Sequence, residues 1–221
     1  MEILVLGDSL PFGRPKHGIC RDLTWPYLLS KELGCGLQMR AKGGATMIDV
    51  AKEVQSLNGY WFEGLKARSF DATFIQAGIV DCCPRLVPRR FYGYARRAPG
   101  FRRLERSPRA HRLLARPWTS ASRFVKALSG LVNILPSISK ASFFIEIAKP
   151  ANYLIENVGD FSDVVASYNE MLRKFAGSTS LVQWQAANSA GVHLLPDGHH
   201  LTALGHQAVA KACLNQYHEV L

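Results

Sequence analysis

The sequence predicts a three-layer α/β domain built on a parallel sheet, and three observations carry that prediction. Five short segments are apolar with little alternation, which suits strands covered on both faces. Amphipathic helical patterns stand between them, so strand and helix alternate from end to end. At 221 residues and 48% hydrophobic content, the chain is sized for one domain with a substantial core, needing no disulfide or metal staple.

Residues 3–6 are a short, continuously apolar strand. Residues 37–41 read more weakly, 71–77 and 142–148 strongly, and 181–185 moderately. Among the helices, 24–33 starts at a threonine in the cap position, with Pro26 in the first turn, where proline is tolerated. Residues 46–57 follow Gly43-Gly44. Residues 162–175 start from a serine cap and place Val164, Val165, Tyr168, Leu172 and Phe175 at helical spacing. Residues 202–217 close the chain with Leu204, Ala208, Val209 and Leu214 as the apolar stripe. Right-handed crossovers would join the strands, and ligands of such a sheet gather at its carboxyl ends.

Residues 82–130 break this rhythm. Pro84, Pro88, Pro99, Pro108 and Pro117 rule out one long helix and leave short helical pieces over 109–115 and 120–128. With no internal repeat and no clear linker, the chain reads as a single domain, 1–221, carrying 82–130 as an insertion after the third strand.

The net charge of +10 resides in that insertion: residues 85–126 hold twelve arginines and one lysine against a single acid, Glu105. The rest of the chain is near neutral, so the protein is not basic throughout. Five cysteines (Cys20, Cys35, Cys82, Cys83, Cys213) form an odd set without a CxxC pair. That pattern fits reduced, mostly buried thiols in a cytoplasmic protein. Met1-Glu2 leads straight into a strand without a basic n-region, so no secretory signal is expected. The most apolar long stretch, 128–148, is interrupted by Pro136, Lys140 and Glu146, which argues against a membrane span.

Gly7-Asp8-Ser9-Leu10 places a hydroxyl nucleophile where the first strand ends. Serine needs a base to take its proton and a third group to orient that base. Asp197 and His200 lie three residues apart just before the last helix, a spacing that sets carboxylate and imidazole side by side on one turn. Ser9, His200 and Asp197 are therefore the candidate nucleophile, base and orienting acid. His206 reads as structural, and His17, His111, His193 and His218 show no metal-binding spacing.

These segments resemble the SGNH (GDSL) hydrolase family. Gly7-Asp8-Ser9-Leu10 matches its first block, Lys42-Gly43-Gly44-Ala45-Thr46 resembles its second, and Asp197-Gly198-His199-His200-Leu201-Thr202 with Gly205-His206 closely matches its last. The resemblance implies a flavodoxin-like fold with a central five-stranded parallel sheet, and an oxyanion hole built on the backbone N–H groups of Ser9 and Gly44. It implies ester hydrolysis through an acyl-serine intermediate, with no metal or organic cofactor.

The third block departs from the pattern. The family has Gly-x-Asn-Asp, whereas this chain has Gly78-Ile79-Val80-Asp81, and Val80 stands where an asparagine amide would complete the oxyanion hole. Three readings stay open: the two backbone donors suffice, another donor such as Arg85 replaces the amide, or the site only binds. Asp8 and Arg85 are the candidate substrate-binding residues. Cys82 and Cys83 at the same strand end are expected to be buried spacers. The Gly-Ile-Val-Asp-Cys variant resembles relatives associated with bacterial surface-polysaccharide biosynthesis, which implies a carbohydrate-linked ester and keeps acyl transfer to a glycan as an alternative.

In the insertion, arginines interleaved with Phe91, Tyr92, Tyr94, Phe101 and Trp118 suit anionic ligands. Acidic polysaccharide, a phosphorylated or nucleotide-linked acyl substrate, and an anionic membrane surface are the partners this composition fits. Nucleic acid fits less well, because no recognised binding fold accompanies the run.

Overall fold

Strand β1, Glu2–Gly7, shows why its sequence is apolar without alternation. In the computed structural model, which describes residues 1–59, 69–177, 180–185 and 190–221, the strand is covered on both faces. Ile3 and Val5 pack into one core layer, Leu4 and Leu6 into the other, and all four are 0% exposed. Burial of each such side chain contributes roughly 1.5–3 kcal/mol.

The other strands are β2 (Gly36–Ala41), β3 (Phe70–Gln76), β4 (Ser139–Ile145) and β5 (Leu181–Val182). They form one five-stranded sheet in the order β2-β1-β3-β4-β5, with every pairing parallel. β2 lies at one edge and is only partly buried, which accounts for its weak apolar pattern.

At the other edge β5 is shorter than the expected 181–185. Trp184 and Gln185 leave the ladder and use their side chains to hold the exit of β4: the Trp184 indole donates to the Glu146 carbonyl at 2.9 Å, and Gln185 accepts the Lys149 N–H at 2.8 Å. β4 itself ends before the expected residue 148. The Asn169 amide takes both backbone groups of Ile147, accepting its N–H at 2.8 Å and donating to its carbonyl at 2.9 Å, in place of a neighbouring strand.

The α-helices in chain order are α1 (Trp25–Glu32), α2 (Met47–Gly59), α3 (Ile79–Cys82), α4 (Arg89–Ala95), α5 (Phe101–Glu105), α6 (Pro108–Leu114), α7 (Ala121–Ile134), α8 (Asn152–Val158), α9 (Ser162–Ala176), α10 (Ala190–His193) and α11 (Ala203–Val220). α1 and α11 pack together over the face that carries Ile3, Val5, Phe74 and Phe143. α2, α7 and α9 cover the opposite face through Val54, Leu128, Leu131 and Leu172.

Of the two expected caps, Thr24 holds the cap position of α1 without capping through its side chain, and Ser162 is not the cap of α9. The Thr24 hydroxyl donates back to the Arg21 carbonyl at 2.7 Å, and Ser162 is already inside α9, its N–H held by Asp160 at 2.9 Å. Thr202 does cap α11, accepting the Gly205 N–H at 3.0 Å.

The arginine-rich excursion is also shorter than 82–130. Arg85 and Arg116 exchange backbone hydrogen bonds at 2.9 and 3.0 Å and close its base. Residues beyond that bridge form α7, a core crossover helix whose Phe124, Leu128 and Leu131 are 0% exposed. Tyr92 of the excursion meets Phe101 and, just beyond the bridge, Trp118 edge-on, with ring centroids 6.4 and 5.2 Å apart. Glu105, the lone acid, accepts the Tyr92 hydroxyl at 2.5 Å, and its carbonyl lies 2.8 Å from His111 Nε2. This small aromatic core orders α4 to α6 while their arginines stay outside.

Candidate active site

Chain order puts β1 between β2 and β3, so the chain leaves the sheet in opposite directions on the two sides of β1. Such a switch point opens a crevice beyond the carboxyl ends of the strands. Gly7 is the last residue of β1 there, and a Cβ on it would sit 2.2 Å from the Gln76 carbonyl oxygen. Only glycine allows β1 and β3 to approach so closely. The Asp8 N–H then donates to that carbonyl at 3.1 Å and turns the chain into the loop bearing Ser9.

Asp8 is fully buried, and its carboxyl accepts the Leu10 N–H at 2.9 Å. The expected substrate-binding role for Asp8 is therefore corrected: no ligand reaches it, and it shapes the nucleophile loop from beneath. Arg14 adds a second brace, donating to the Ser9 carbonyl at 3.3 Å.

The C-terminal loop brings its two residues to the same place. Ser9 Oγ lies 3.0 Å from His200 Nε2, and His200 Nδ1 lies 2.7 Å from Asp197 Oδ2. The other Asp197 oxygen accepts the backbone N–H groups of His199 and His200 at 3.1 and 3.0 Å. Burial works against the charge on Asp197, but the His200 ring and these N–H groups outweigh it and hold the carboxyl well below the usual carboxylate range. Gly198 makes the turn possible: it sits at φ +81°, and a Cβ there would lie 2.6 Å from the Leu154 Cβ.

The flanking histidines have other work. Burial, reinforced by the neighbouring His200, pushes His199 down to about 4, so it is neutral near pH 7. Burial, with Arg14 and His200 nearby, pushes His206 down to about 4 as well. His206 Nδ1 accepts the Trp25 N–H at 3.2 Å, tying α11 to the start of α1. Asp197, His199 and His200 gather three ligand atoms within 4.8 Å, the only such cluster among the described residues. Both ring nitrogens of His200 are already engaged by Ser9 and Asp197.

The turn from Lys42 to Thr46 forms the opposite wall. Gly44 adopts φ +72°, a conformation that favours glycine. Thr46 and Asp49 start α2 reciprocally: Asp49 Oδ2 accepts both the Thr46 N–H and its hydroxyl at 2.8 Å. Arg89, from the excursion, ion-pairs with Asp49 and donates to the Gly44 carbonyl at 3.0 Å. Sequence reasoning missed Arg89, which looked like any other cation in a long run.

Val80 lies in α3 beside Gly78, and its side chain is buried. Its neighbour Asp81 accepts the Met47 N–H at 2.9 Å and so fastens α3 to α2. Arg85 does not take up the role of the absent amide. Its guanidinium lies over Trp118 and Tyr92, 5.3 and 5.8 Å from the ring centroids. Cys82 and Cys83 are buried, and burial raises both thiols, so neither offers a thiolate.

No protein-family model matches the chain, and no curated protein matches it. Solved structures do. A lipase/acylhydrolase from Enterococcus faecalis superposes with a TM-score of 0.65 over 100% of this chain and 97% of that one, at 12% identity. A member of the lipolytic protein G-D-S-L family from Veillonella parvula gives 0.62 over 97% of each chain, also at 12% identity. An acetylxylan esterase from Geobacillus stearothermophilus gives 0.57 over 98% of this chain and 93% of that one, at 19% identity. At such identities the likeness is one of fold. The chain has the α/β fold of the G-D-S-L (SGNH) hydrolases, with a Ser-His-Asp arrangement at the switch point of its sheet.

Proposed function

We propose that the protein is a serine esterase that hydrolyses a small acyl ester through an acyl-serine intermediate. The observation that carries this reading is the continuous relay from Ser9 through His200 to Asp197, at 3.0 and 2.7 Å. Ser9 Oγ attacks the ester carbonyl as its proton passes to His200 Nε2. Asp197 remains ionised, holds the Nδ1 proton and stabilises the imidazolium. The backbone N–H groups of Ser9 and Gly44 receive the oxyanion. His200 then protonates the departing alcohol, and later deprotonates the water that releases the acyl group and restores Ser9.

Val80 contributes no donor, so the oxyanion rests on backbone groups alone. Loss of one such donor typically costs about 10²–10³ in turnover, which makes this a slow esterase. One of the structures similar to this chain is an acetylxylan esterase, and that favours an acyl group carried on a carbohydrate. Labelling of Ser9 by a fluorophosphonate, with hydrolysis of short p-nitrophenyl esters that Ser9→Ala and His200→Ala abolish, is the result expected. Purified protein that neither labels nor hydrolyses would leave a binding protein on a hydrolase scaffold.

A further inference from the structure

The excursion and the start of α7 enclose a cleft of about 610 Å³, lined by Arg85, Arg89, Arg90, Arg116, Arg123 and Trp118 among others. No carboxylate lines it among the described residues. Arg89 is neutralised by Asp49. Arg85, Arg90, Arg116 and Arg123 have no ion-pair partner among the described residues, so four arginines without a counter-charge border one cleft.

Such a concentration repels itself and draws an anion. Arg85 is the sharpest sign. It is held over Trp118 and Tyr92, and its buried Nε–H finds no acceptor. Native proteins rarely leave such a donor unpaired unless a ligand or water supplies the acceptor.

The cleft also adjoins the site already described. Arg89 touches the Gly44 carbonyl at 3.0 Å, and the Arg85 charge helps keep His199 unprotonated, after burial and His200.

We infer that this cleft is a subsite for a phosphate-bearing part of the substrate, phosphate or pyrophosphate, held by Arg85, Arg90, Arg116 and Arg123 beside the catalytic serine. A single carboxylate satisfies one guanidinium fork, whereas a phosphate or pyrophosphate offers several oxygens and up to two or more charges. That the anion belongs to a substrate rests on the esterase reading; the anion site itself does not.

The test is calorimetric titration of inorganic pyrophosphate into the full-length Ser9→Ala protein, which reads the anion site without catalysis. Saturable one-to-one binding is expected. Replacing two of the cleft arginines, Arg90→Ala with Arg123→Ala, should weaken it about tenfold or more. Replacing two arginines outside the cleft, Arg102→Ala with Arg103→Ala, should leave it within about twofold. Equal losses in the two pairs, or no saturable heat, would overturn the inference and leave only diffuse surface charge. Circular dichroism confirms that each variant is folded.

A second arm separates the sources of the phosphate. Sedimentation with phosphatidylglycerol vesicles that pyrophosphate reverses would place it on a lipid headgroup, and absence of sedimentation on a soluble substrate. Vesicle binding that neither pyrophosphate nor the cleft variant diminishes would reassign the arginines to bilayer docking and sink the proposal. Fluorophosphonate labelling reads Ser9 alone, so the two readings fail separately.

Discussion

The Arg89 guanidinium donates to the Gly44 carbonyl at 3.0 Å while ion-paired with Asp49. One side chain from the arginine-rich excursion thus fixes the turn whose N–H is to meet the oxyanion. Arg89 is a positioning residue on this reading, not a contact to substrate. Arg89→Ala should lower kcat about tenfold with KM within about threefold, because a loosened donor weakens transition-state stabilisation more than ground-state binding. The N-terminus of α2 should survive, since Asp49 still accepts from Thr46. Arg89→Lys should fail to rescue: an ammonium lacks the planar fork that reaches both acceptors. Steady-state kinetics on a p-nitrophenyl ester, with melting temperature as control, decide the matter; a pure KM effect would refute the positioning role.

The relay sets a hierarchy among the three catalytic candidates. Ser9→Ala and His200→Ala should remove measurable turnover. Asp197→Asn should cost about 10³–10⁴ in kcat by letting the ring take the wrong tautomer. The same change also forfeits the charge that accepts the His199 and His200 N–H groups. The fluorophosphonate labelling rate, measured for all three variants, should fall in parallel with kcat.

Two buried carboxyls contribute a pH dependence of stability opposite to the usual one. Burial raises Asp8 from 3.8 to about 7, with nearby Asp81 adding to the rise, and burial raises Asp81 from 3.8 to about 6. The folded protein therefore binds these protons more tightly than the unfolded chain does. Their contribution is fully present below about pH 4 and is lost as pH rises through 6 to 7. Asp197 behaves conversely, stabilising above about pH 4 and losing that contribution in acid. His199 and His206, held down to about 4, act in the opposite direction between pH 6.5 and 4, so the Asp8 contribution is read as a difference between proteins. Relative to the parent protein, Asp8→Asn, whose amide oxygen still accepts the Leu10 N–H, should lose more urea midpoint at pH 5 than at pH 8. An equal change at the two pH values would show that Asp8 makes no such contribution.

The candidate residues Ser9, Asp197 and His200 stood out in the sequence because each sits at a strand end or turn with a demanding backbone. Gly7 and Gly198 flank Ser9 and His200 for steric reasons that leave a sequence trace. The interior strands were legible for a related reason: burial on both faces writes a continuous apolar run, as in Ile3 to Leu6. The ends of β4 and β5 were not, because side chains distant in sequence, Asn169, Trp184 and Gln185, terminate the ladders. Arg89 was hidden by its neighbours. Nothing local distinguishes an arginine that pins Gly44 from eleven others that do not, and the bridge between Arg85 and Arg116 that brings it there is itself a tertiary contact.

Val80 provides the most direct test of the oxyanion hole. By the sequence resemblance it stands where the family has a donating amide, and the residue is 8% exposed. Val80→Asn introduces an N–H donor of nearly the same volume at that position. If Ser9 and Gly44 already hold the oxyanion from the other side, the added donor should raise kcat, with an upper bound of about 10²–10³ and an expected gain of about tenfold, since this pocket did not evolve around it. Stability should fall by about 1–3 kcal/mol, the cost of burying an amide among apolar neighbours without full partners. The informative measurement is kcat on a p-nitrophenyl acetate substrate beside a urea denaturation curve for the same preparation. A gain in kcat with a loss in midpoint fits a working site that lacks one donor. A folded Val80→Asn protein with unchanged turnover would mean that the oxyanion does not lie against α3 and that the lack of a donor at Val80 does not limit the rate.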